Sequence, residues 1–425
     1  MPAGDYIDSY YSATARPLTS FAPLVGTAEA DVCVVGAGIA GCSAALHLAE
    51  RGYSVVLLED RRVGWGASGR SGGQALPGFA ADQRTLTGLA GRDTARALWD
   101  ISVEGLDLVR DLIRRHAINC DWVEGQMHAA VKPRHRDELL ASREEAHALG
   151  YDSLRLIEGE ELHSLVATRR YLAGLYDSRA GHLHPLNYTL GLAAAARKLG
   201  VTIHEGTRVL RYEGHSPIVV HTANGNVRCR HLVLCGNVYI GDAAAQLQRT
   251  IIGVGTYIIA TEPLGAEHAR ALIRNNMAVA DLNWIIDYFR LSADHRLLFG
   301  GRVSYSGLDP QATAGLTRRR MVRVFPQLGQ TNVDYSWGGY LDITLNRAPH
   351  FGRLAPDVYF LQGFSGHGIA LTGMAGKLIA EAVAGTAERF DLFTRITHRP
   401  FPGGRWLRRP GLVLAMLYYR LRDLV

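Results

Sequence analysis

Lysine is nearly absent from this chain. Lys132, Lys198 and Lys377 are the only three among 46 basic residues, so arginine carries almost all the positive charge. Cysteine is sparse as well. The five cysteines (Cys33, Cys42, Cys120, Cys229 and Cys235) are odd in number and lack CxxC spacing. That argues against a disulfide framework or a zinc site, and it fits a reducing, cytoplasmic compartment. Long hydrophobic runs are missing too. The longest near the C-terminus, 412–419, has eight residues, where a membrane span needs roughly 20. The N-terminus carries Asp5 and Asp8 and no apolar h-region, so it does not read as a signal peptide. The net charge of +6 comes from one short segment: over 395–425 seven arginines face a single acid, Asp423, and the rest of the chain balances. A nucleic-acid-binding protein shows a basic face over its main domain. No nucleic acid, membrane span or metal is therefore expected.

Glycine is plentiful, at 47 of 425 residues, which points to tight backbone loops. One unit is unusually clear. An apolar strand over 31–35 runs into Gly36-Ala37-Gly38-Ile39-Ala40-Gly41, then an Ala/Leu helix over 42–51 closed by Gly52, then a buried strand over 54–58 ending at Glu59. Further on, 92–150 shows helical periodicity, and 186–200 reads as another helix. Short strands are expected at 201–204, 218–222, 227–228 and 232–235, with Asn224-Gly225 as a hairpin turn. Residues 251–306 look β-rich, with strands over 257–261, 284–291 and 296–300. A last strand over 358–362 enters a helix over 369–383. Residues 1–30, rich in aromatics, read as an extended packed arm.

The first unit has the parts of a dinucleotide site. A helix N-terminus offers unpaired N–H groups and partial positive charge to a pyrophosphate. Gly36 permits the turn, Gly38 the approach of phosphate, and Gly41 close helix–strand packing. Glu59, 18 residues past Gly41, suits a ribose diol and would repel a 2′-phosphate. Instead of a further strand–helix unit, a second glycine-rich loop follows, Gly64-Trp65-Gly66-Ala67-Ser68-Gly69-Arg70-Ser71-Gly72-Gly73-Gln74. A third, Gly363-Phe364-Ser365-Gly366-His367-Gly368, precedes the late helix about 300 residues away. A long cofactor held by both ends of the chain explains this better than NAD does.

These residues resemble the FAD-dependent glycine/D-amino-acid oxidase superfamily, and within it the bacterial γ-glutamylputrescine oxidoreductase group. The likeness is carried by VGWGASGRSGGQ (63–74), WGGYLDITLNRAPHFGR (337–353), LQGFSGHGIALT (361–372), the tail 401–423 and SYYSATA (9–15). It implies an α/β architecture in which a Rossmann-like FAD-binding domain (1–82, 185–250, 337–400) combines with a β-sheet-plus-helices substrate domain (83–184, 251–336) and a basic helical tail (401–425). It implies that Gly36, Gly38, Ile39, Ala40, Gly41, Glu59, Asp60 and Arg61 hold the ADP half. Gly66, Ala67, Ser68, Arg70, Gly72, Gly73 and Gln74 would run along the pyrophosphate toward the flavin. Val209 and Gly236 would lie beside the nucleotide, and Gly366, His367, Gly368 and Ile369 would reach the flavin O2/N1 edge. With no His in the second loop and no Cys over 337–353, noncovalent FAD is expected.

The implied activity is oxidative deamination of an amine, foremost a γ-glutamylated polyamine such as γ-glutamylputrescine, by hydride transfer to flavin N5 and imine hydrolysis to aldehyde and ammonia. A secondary amine or D-amino acid is the alternative within the superfamily. An RNA-modifying flavoprotein or a non-catalytic flavin-binding protein are alternatives outside it. Because the cofactor carries the chemistry, the lack of a Ser-His-Asp or paired-carboxylate signature does not argue against an enzyme. His367 and Gln74 are the candidates nearest the reacting atoms. Trp65, Tyr257, Trp284, Tyr288 and Trp337 are candidates for an aromatic amine pocket. Arg290 and Arg302 are candidates for a substrate carboxylate, with salt bridges as the more ordinary role. No lysine lies among the presumed catalytic strands, so either another group promotes reaction with oxygen or the electron acceptor is a quinone or other carrier.

Overall fold

Val32, Cys33, Val34 and Val35 are all buried, as a strand must be when both faces of its sheet are covered; helices cover one face and the hairpin 209–222 the other. Those four residues end the strand Gly26–Val35, which pairs in parallel with Val55–Leu58 on one side and Gly225–Leu234 on the other. The computed structural model describes residues 6–16, 19–304 and 310–402, with backbone only for 302–304 and 310–312. The Arg302 side chain and most of the expected basic tail (403–425) thus lie outside the described residues.

The first sheet has the order His350–Ala355, Val358–Gln362, Gly225–Leu234, Gly26–Val35, Val55–Leu58, Thr202–His204, with the hairpin Val209–Glu213/Ile218–Thr222 hanging from Gly225–Leu234. The two short strands expected at 227–228 and 232–235 are one. Arg228 and Arg230 interrupt the apolar run in sequence but point outward from it, each toward an acid of the neighbouring strand, Glu29 and Asp31. Helix Ile39–Glu50 packs on this sheet and against helix Ile369–Val383. The two helices meet closely: a Cβ on Gly376 would stand 2.5 Å from the Ala44 nitrogen, and the Ser43 hydroxyl donates to the Gly373 carbonyl at 2.6 Å.

The second sheet runs Val333–Thr344, Ile251–Thr261, Leu297–Ser304, Asp287–Leu291, Ala278–Asp281, Val123–Ala130, Ala173–His182, Gln74–Ala75, with Leu154–Glu158 beside Ala173–His182. Here the sequence reading needs correction. The stretch 92–150 is not all helix, because Val123–Ala130 lies between helices Arg92–Arg115 and Pro133–Ala148. Val-Glu-Gly-Gln-Met-His-Ala-Ala has weak strand propensity; pairing on both edges imposes the extended form. The arm is not wholly extended either. Tyr10–Ala13 makes a helical turn in which Ser9 and Ser12 cap each other, and Tyr10 and Tyr11 are buried. Among the described residues no single helix is long and apolar enough to cross a membrane. The one bent pair that passes on composition, Ile369–Val383 with Glu388–Thr394, supplies much of the core.

Candidate active site

Both sheets line one cavity of about 950 Å³. Three turns that are far apart in sequence meet there, and each is held by identifiable contacts.

The first turn is Gly36–Gly41. Gly36 has φ +98°, and a Cβ there would stand 2.8 Å from the Cys235 carbonyl oxygen. Gly41 does not line the cavity; it lies behind the turn, where a Cβ would come 1.8 Å from the Gly36 oxygen. Glu59 closes the second strand, its carboxylate accepting from the Ala37 N–H at 2.8 Å and the Arg61 N–H at 2.9 Å. Burial outweighs these bonds and pushes its pKa up to about 7. Helix Ile39–Glu50 starts at Gly38, which has no side chain to cap it, and Gly38, Ile39 and Ala40 line the cavity, so its N-terminal dipole faces that space. Asp60, Arg61, Val209 and Gly236 also line this end. Cys235 joins them, its thiol raised to about 12 by burial.

A test follows from Glu59. A ribose diol donates to a carboxylate better than to a carboxylic acid. Binding then favours the ionised form and releases a proton, so FAD affinity should weaken as pH falls through 7, by up to ~10-fold per unit. The cofactor-free fold has the opposite trend. A raised folded pKa stabilises it below the unfolded carboxyl range, and this contribution is lost as pH rises through 7. Titrating FAD into cofactor-free protein between pH 5 and 8 measures the slope, and Glu59→Gln should flatten it.

The second turn carries Gly66, Ala67, Ser68, Gly72, Gly73 and Gln74, all lining the cavity. Ser68 Oγ accepts from the Ile39 N–H at 3.0 Å, tying this loop to the first turn. Arg70 is placed differently from expectation. It is not on the cavity wall; its guanidinium stacks on Trp65 at 4.0 Å and donates to the Trp65 carbonyl at 2.7 Å, with Nη2 buried and unpartnered. Arg290 is likewise a scaffold residue rather than a carboxylate ligand or salt bridge. Its donors go to the Gly72, Leu291 and Leu183 carbonyls and the Tyr11 hydroxyl.

The third turn, Gly363–Gly368, is cinched by a residue that sequence reasoning missed. The buried Asp342 carboxylate accepts from the Gly363 and Phe364 N–H groups, the latter at 3.0 Å, and the Ser365 N–H bonds the Asp342 carbonyl at 2.9 Å. Asn237 donates to the same carboxylate, and burial lifts its pKa to about 6. The signal was an acid in the apolar strand stretch Leu341-Asp342-Ile343. Helix Ile369–Val383 also starts without a side-chain cap, at Gly368. Gly366, His367, Gly368 and Ile369 all line the cavity. His367 Nε2 lies 2.9 Å from the Pro77 carbonyl. A carbonyl only accepts, so this nitrogen carries the proton; the ring also meets the Leu76 carbonyl, and burial lowers its pKa.

His128 was also missed, because its strand was. It lines the cavity, burial and the nearby His367 hold its pKa down at about 4, and its imidazole has no partner among the described residues. Sheet register sets it in one row with Ala280, Tyr288 and Gly300. A Cβ on Gly300 would stand 2.1 Å from the Tyr288 ring, and one on Gly72 would stand 2.8 Å from it. Gln74 Nε2 donates to the Val279 carbonyl at 3.3 Å, which leaves its oxygen available.

Of the five aromatics expected in the pocket, Trp65, Trp284 and Tyr288 line it. Tyr257 and Trp337 lie elsewhere. Tyr257 packs under Gly338, and Trp337 meets Tyr11 edge-on and donates to the Arg70 carbonyl at 3.0 Å. Among the described residues no His/Cys/Asp/Glu group suited to a metal occurs. FAD fits the wall that is present: two helix N-termini whose N-cap residues are glycines face one space, and the cavity-lining Ser71 Oγ and Asn237 Oδ1 are buried without partners.

A dinucleotide turn on a parallel sheet, a second sheet across the cavity and a late helix aimed into it define an FAD-dependent oxidoreductase. Residues 31–382 match the family described as FAD dependent oxidoreductase, and the chain belongs to that family. It is 41% identical over 420 residues to the gamma-glutamylputrescine oxidoreductase of Escherichia coli (strain K12), covering 99% of each chain. It is also 41% identical over 425 residues to the probable oxidoreductase OrdL of Haemophilus influenzae, covering 99% of this chain and 98% of that one. Among solved structures, glycine oxidase from Bacillus cereus superposes with a TM-score of 0.70 at 21% identity, over 87% of this chain and 99% of that one.

Proposed function

We propose that this protein oxidatively deaminates the terminal amine of a γ-glutamylated polyamine such as γ-glutamylputrescine, giving an aldehyde and ammonia. The observation that carries the reading is the 41% identity to a gamma-glutamylputrescine oxidoreductase over 99% of both chains. Bound FAD supplies the two-electron acceptor.

The chain's own residues have separable tasks on this reading. Glu59 takes the ribose diol, and the N-terminus of Ile39–Glu50 takes the pyrophosphate. The N-terminus of Ile369–Val383 stabilises negative charge at the flavin edge. The sheet containing Gly26–Val35 is the FAD-binding unit, and the other sheet is the substrate-binding unit. Noncovalent attachment is supported by Cys235, the cavity's cysteine, which sits against Gly36 at the nucleotide end.

Arg290 serves the scaffold, with its donors directed to three backbone carbonyls and Tyr11. The flavin end favours the neutral amine. His128 and His367 are held uncharged, and the Asp281 carboxylate is already occupied by Asn283 and the Asp287 N–H. An unprotonated nitrogen can donate to the His128 imidazole without placing a cation there.

Anaerobic addition of γ-glutamylputrescine to the FAD-loaded protein should bleach the visible flavin bands, with aldehyde and ammonia formed on turnover. Acid precipitation of the same preparation should leave the flavin in the supernatant. Bleaching by N-methylglycine or a D-amino acid alone would shift the assignment within the family, and no bleaching by any amine would reject the catalytic reading.

A further inference from the structure

Trp284, Ile286 and Tyr340 line the cavity yet are 39%, 43% and 42% exposed, so they mark its mouth. Arg347, also exposed, lines the same rim. Trp284 stands on the turn 282–286, between strands Ala278–Asp281 and Asp287–Leu291. Arg347 stands on the turn after Val333–Thr344. The Arg347 guanidinium lies 5.8 Å from the Trp284 ring centroid, within cation–π range, so the pair joins two banks of the opening.

Both turns are fixed from below. The Asp281 carboxylate accepts from the Asn283 N–H at 3.1 Å, the Asn283 amide at 2.7 Å and the Asp287 N–H at 3.0 Å. Arg320 donates to the Ile285 carbonyl at 2.6 Å. Opposite, the Arg347 N–H bonds the Thr344 carbonyl at 3.2 Å, and Asn346 holds the Ala348 N–H and the Thr397 carbonyl. Arg347 itself has φ +59°, a left-handed conformation disfavoured for a residue with a Cβ.

Arg347 is the only arginine lining this end of the cavity among the described residues; Arg61 and Arg208 line the end beside Asp60 and Val209. No described carboxylate pairs with it, and its guanidinium makes no hydrogen bond to a described residue. A positioned, unpaired planar cation at the mouth of a site for amines calls for an anion on the substrate's far end.

We propose that Arg347, braced on Trp284, is the subsite for the α-carboxylate of the γ-glutamyl head, so that the distant amine reaches the flavin end. The inference rests on the substrate class proposed above. The guanidinium gives two parallel N–H···O bonds to the carboxylate, and its cation–π contact with Trp284 keeps it at the rim. Because the pair forms at the rim, neither charge is fully stripped of water. The subsite distinguishes a γ-glutamylated amine from the free diamine, which carries a second cation there instead.

The test compares γ-glutamylputrescine with N-acetylputrescine, which keeps the amine and the amide but lacks the carboxylate. Anaerobic flavin reduction is followed in the FAD-loaded unsubstituted protein, Arg347→Gln and Arg347→Lys. For Arg347→Gln the half-saturating γ-glutamylputrescine concentration should rise roughly 10–100-fold, the loss expected for charge-assisted bonds. Its limiting reduction rate and its behaviour with N-acetylputrescine should be unchanged. Arg347→Lys should fall between, and it carries the test alone should Arg347→Gln lose its flavin. An equal shift for both amines, or none for γ-glutamylputrescine, would overturn the subsite while leaving the substrate class standing. Failure of γ-glutamylputrescine to reduce the unsubstituted protein would overturn both.

Discussion

Gly41→Ala is expected to purify colourless. Alanine is favoured over glycine inside a helix by ~1 kcal/mol, so propensity alone would stabilise the variant. Packing decides the other way. The added methyl would stand 1.8 Å from the Gly36 carbonyl oxygen, and that obstacle is backbone, which cannot rotate aside as a side chain does. Overpacking of this kind costs ~1–3 kcal/mol or more. The group that must move is the first residue of the nucleotide turn, so the loss falls on cofactor binding before it falls on the fold. We expect FAD affinity to drop by roughly 100-fold or more, read by visible absorbance and titration with free FAD. Gly88→Ala is the control: nothing lies within 4 Å of its added Cβ, so it should keep its colour and unfold at the same or a slightly higher temperature. A yellow Gly41→Ala protein with unchanged FAD affinity would refute the close packing of helix on turn.

Asp342→Ala should be nearly as damaging, by a different route. It leaves the Gly363 N–H, the Phe364 N–H and the Asn237 amide without their acceptor. Each buried donor left unpaired costs ~1–3 kcal/mol, so the sum over three is on the order of 3–9 kcal/mol, a large share of a typical ~5–15 kcal/mol. Asp342→Asn separates hydrogen bonding from charge. Both turn N–H groups donate to one carboxylate oxygen, Oδ2, which an amide oxygen can replace. Moreover, the pKa rise to about 6 shows that burial disfavours the charge there. Asp342→Asn should therefore retain flavin and much of its thermal stability, whereas Asp342→Ala should lose both. Equal loss in the two variants would assign the role to the charge instead.

The first turn was legible in sequence because it is local. Strand, Gly36–Gly41, helix and Glu59 lie within some thirty consecutive residues, and each has a chemical reason to be where it is. The late helix over 369–383 was legible from its glycine-rich entry and its Ala/Leu content. His128 and Asp342 were not, since neither acts through its sequence neighbours. His128 reaches the cavity through lateral register with Ala280 and Tyr288, and Asp342 reaches across to a turn twenty residues on. Tyr257 and Trp337 show a further limit. Alternation along a strand says that neighbours point to opposite faces, but not which face meets the cavity. Tyr288 stands on the open face, while Tyr257 and Trp337 are packed behind Gly338 and Arg70. Arg290 shows the same on a smaller scale: a buried guanidinium looks like a ligand in sequence until its carbonyl partners are known.

The glycine-to-alanine contact between helices Ile39–Glu50 and Ile369–Val383 has a bearing on biosynthesis. The helix after the first glycine turn is backed by one that the ribosome makes more than three hundred residues later. Until 369–383 emerges, Ala44 and Ser43 lack the helix they pack against, and the cavity wall at Gly366–Ile369 is not formed. Capture of the vitamin-derived group must then wait for that segment, and a nascent chain without it would expose an apolar helix flank awaiting its mate.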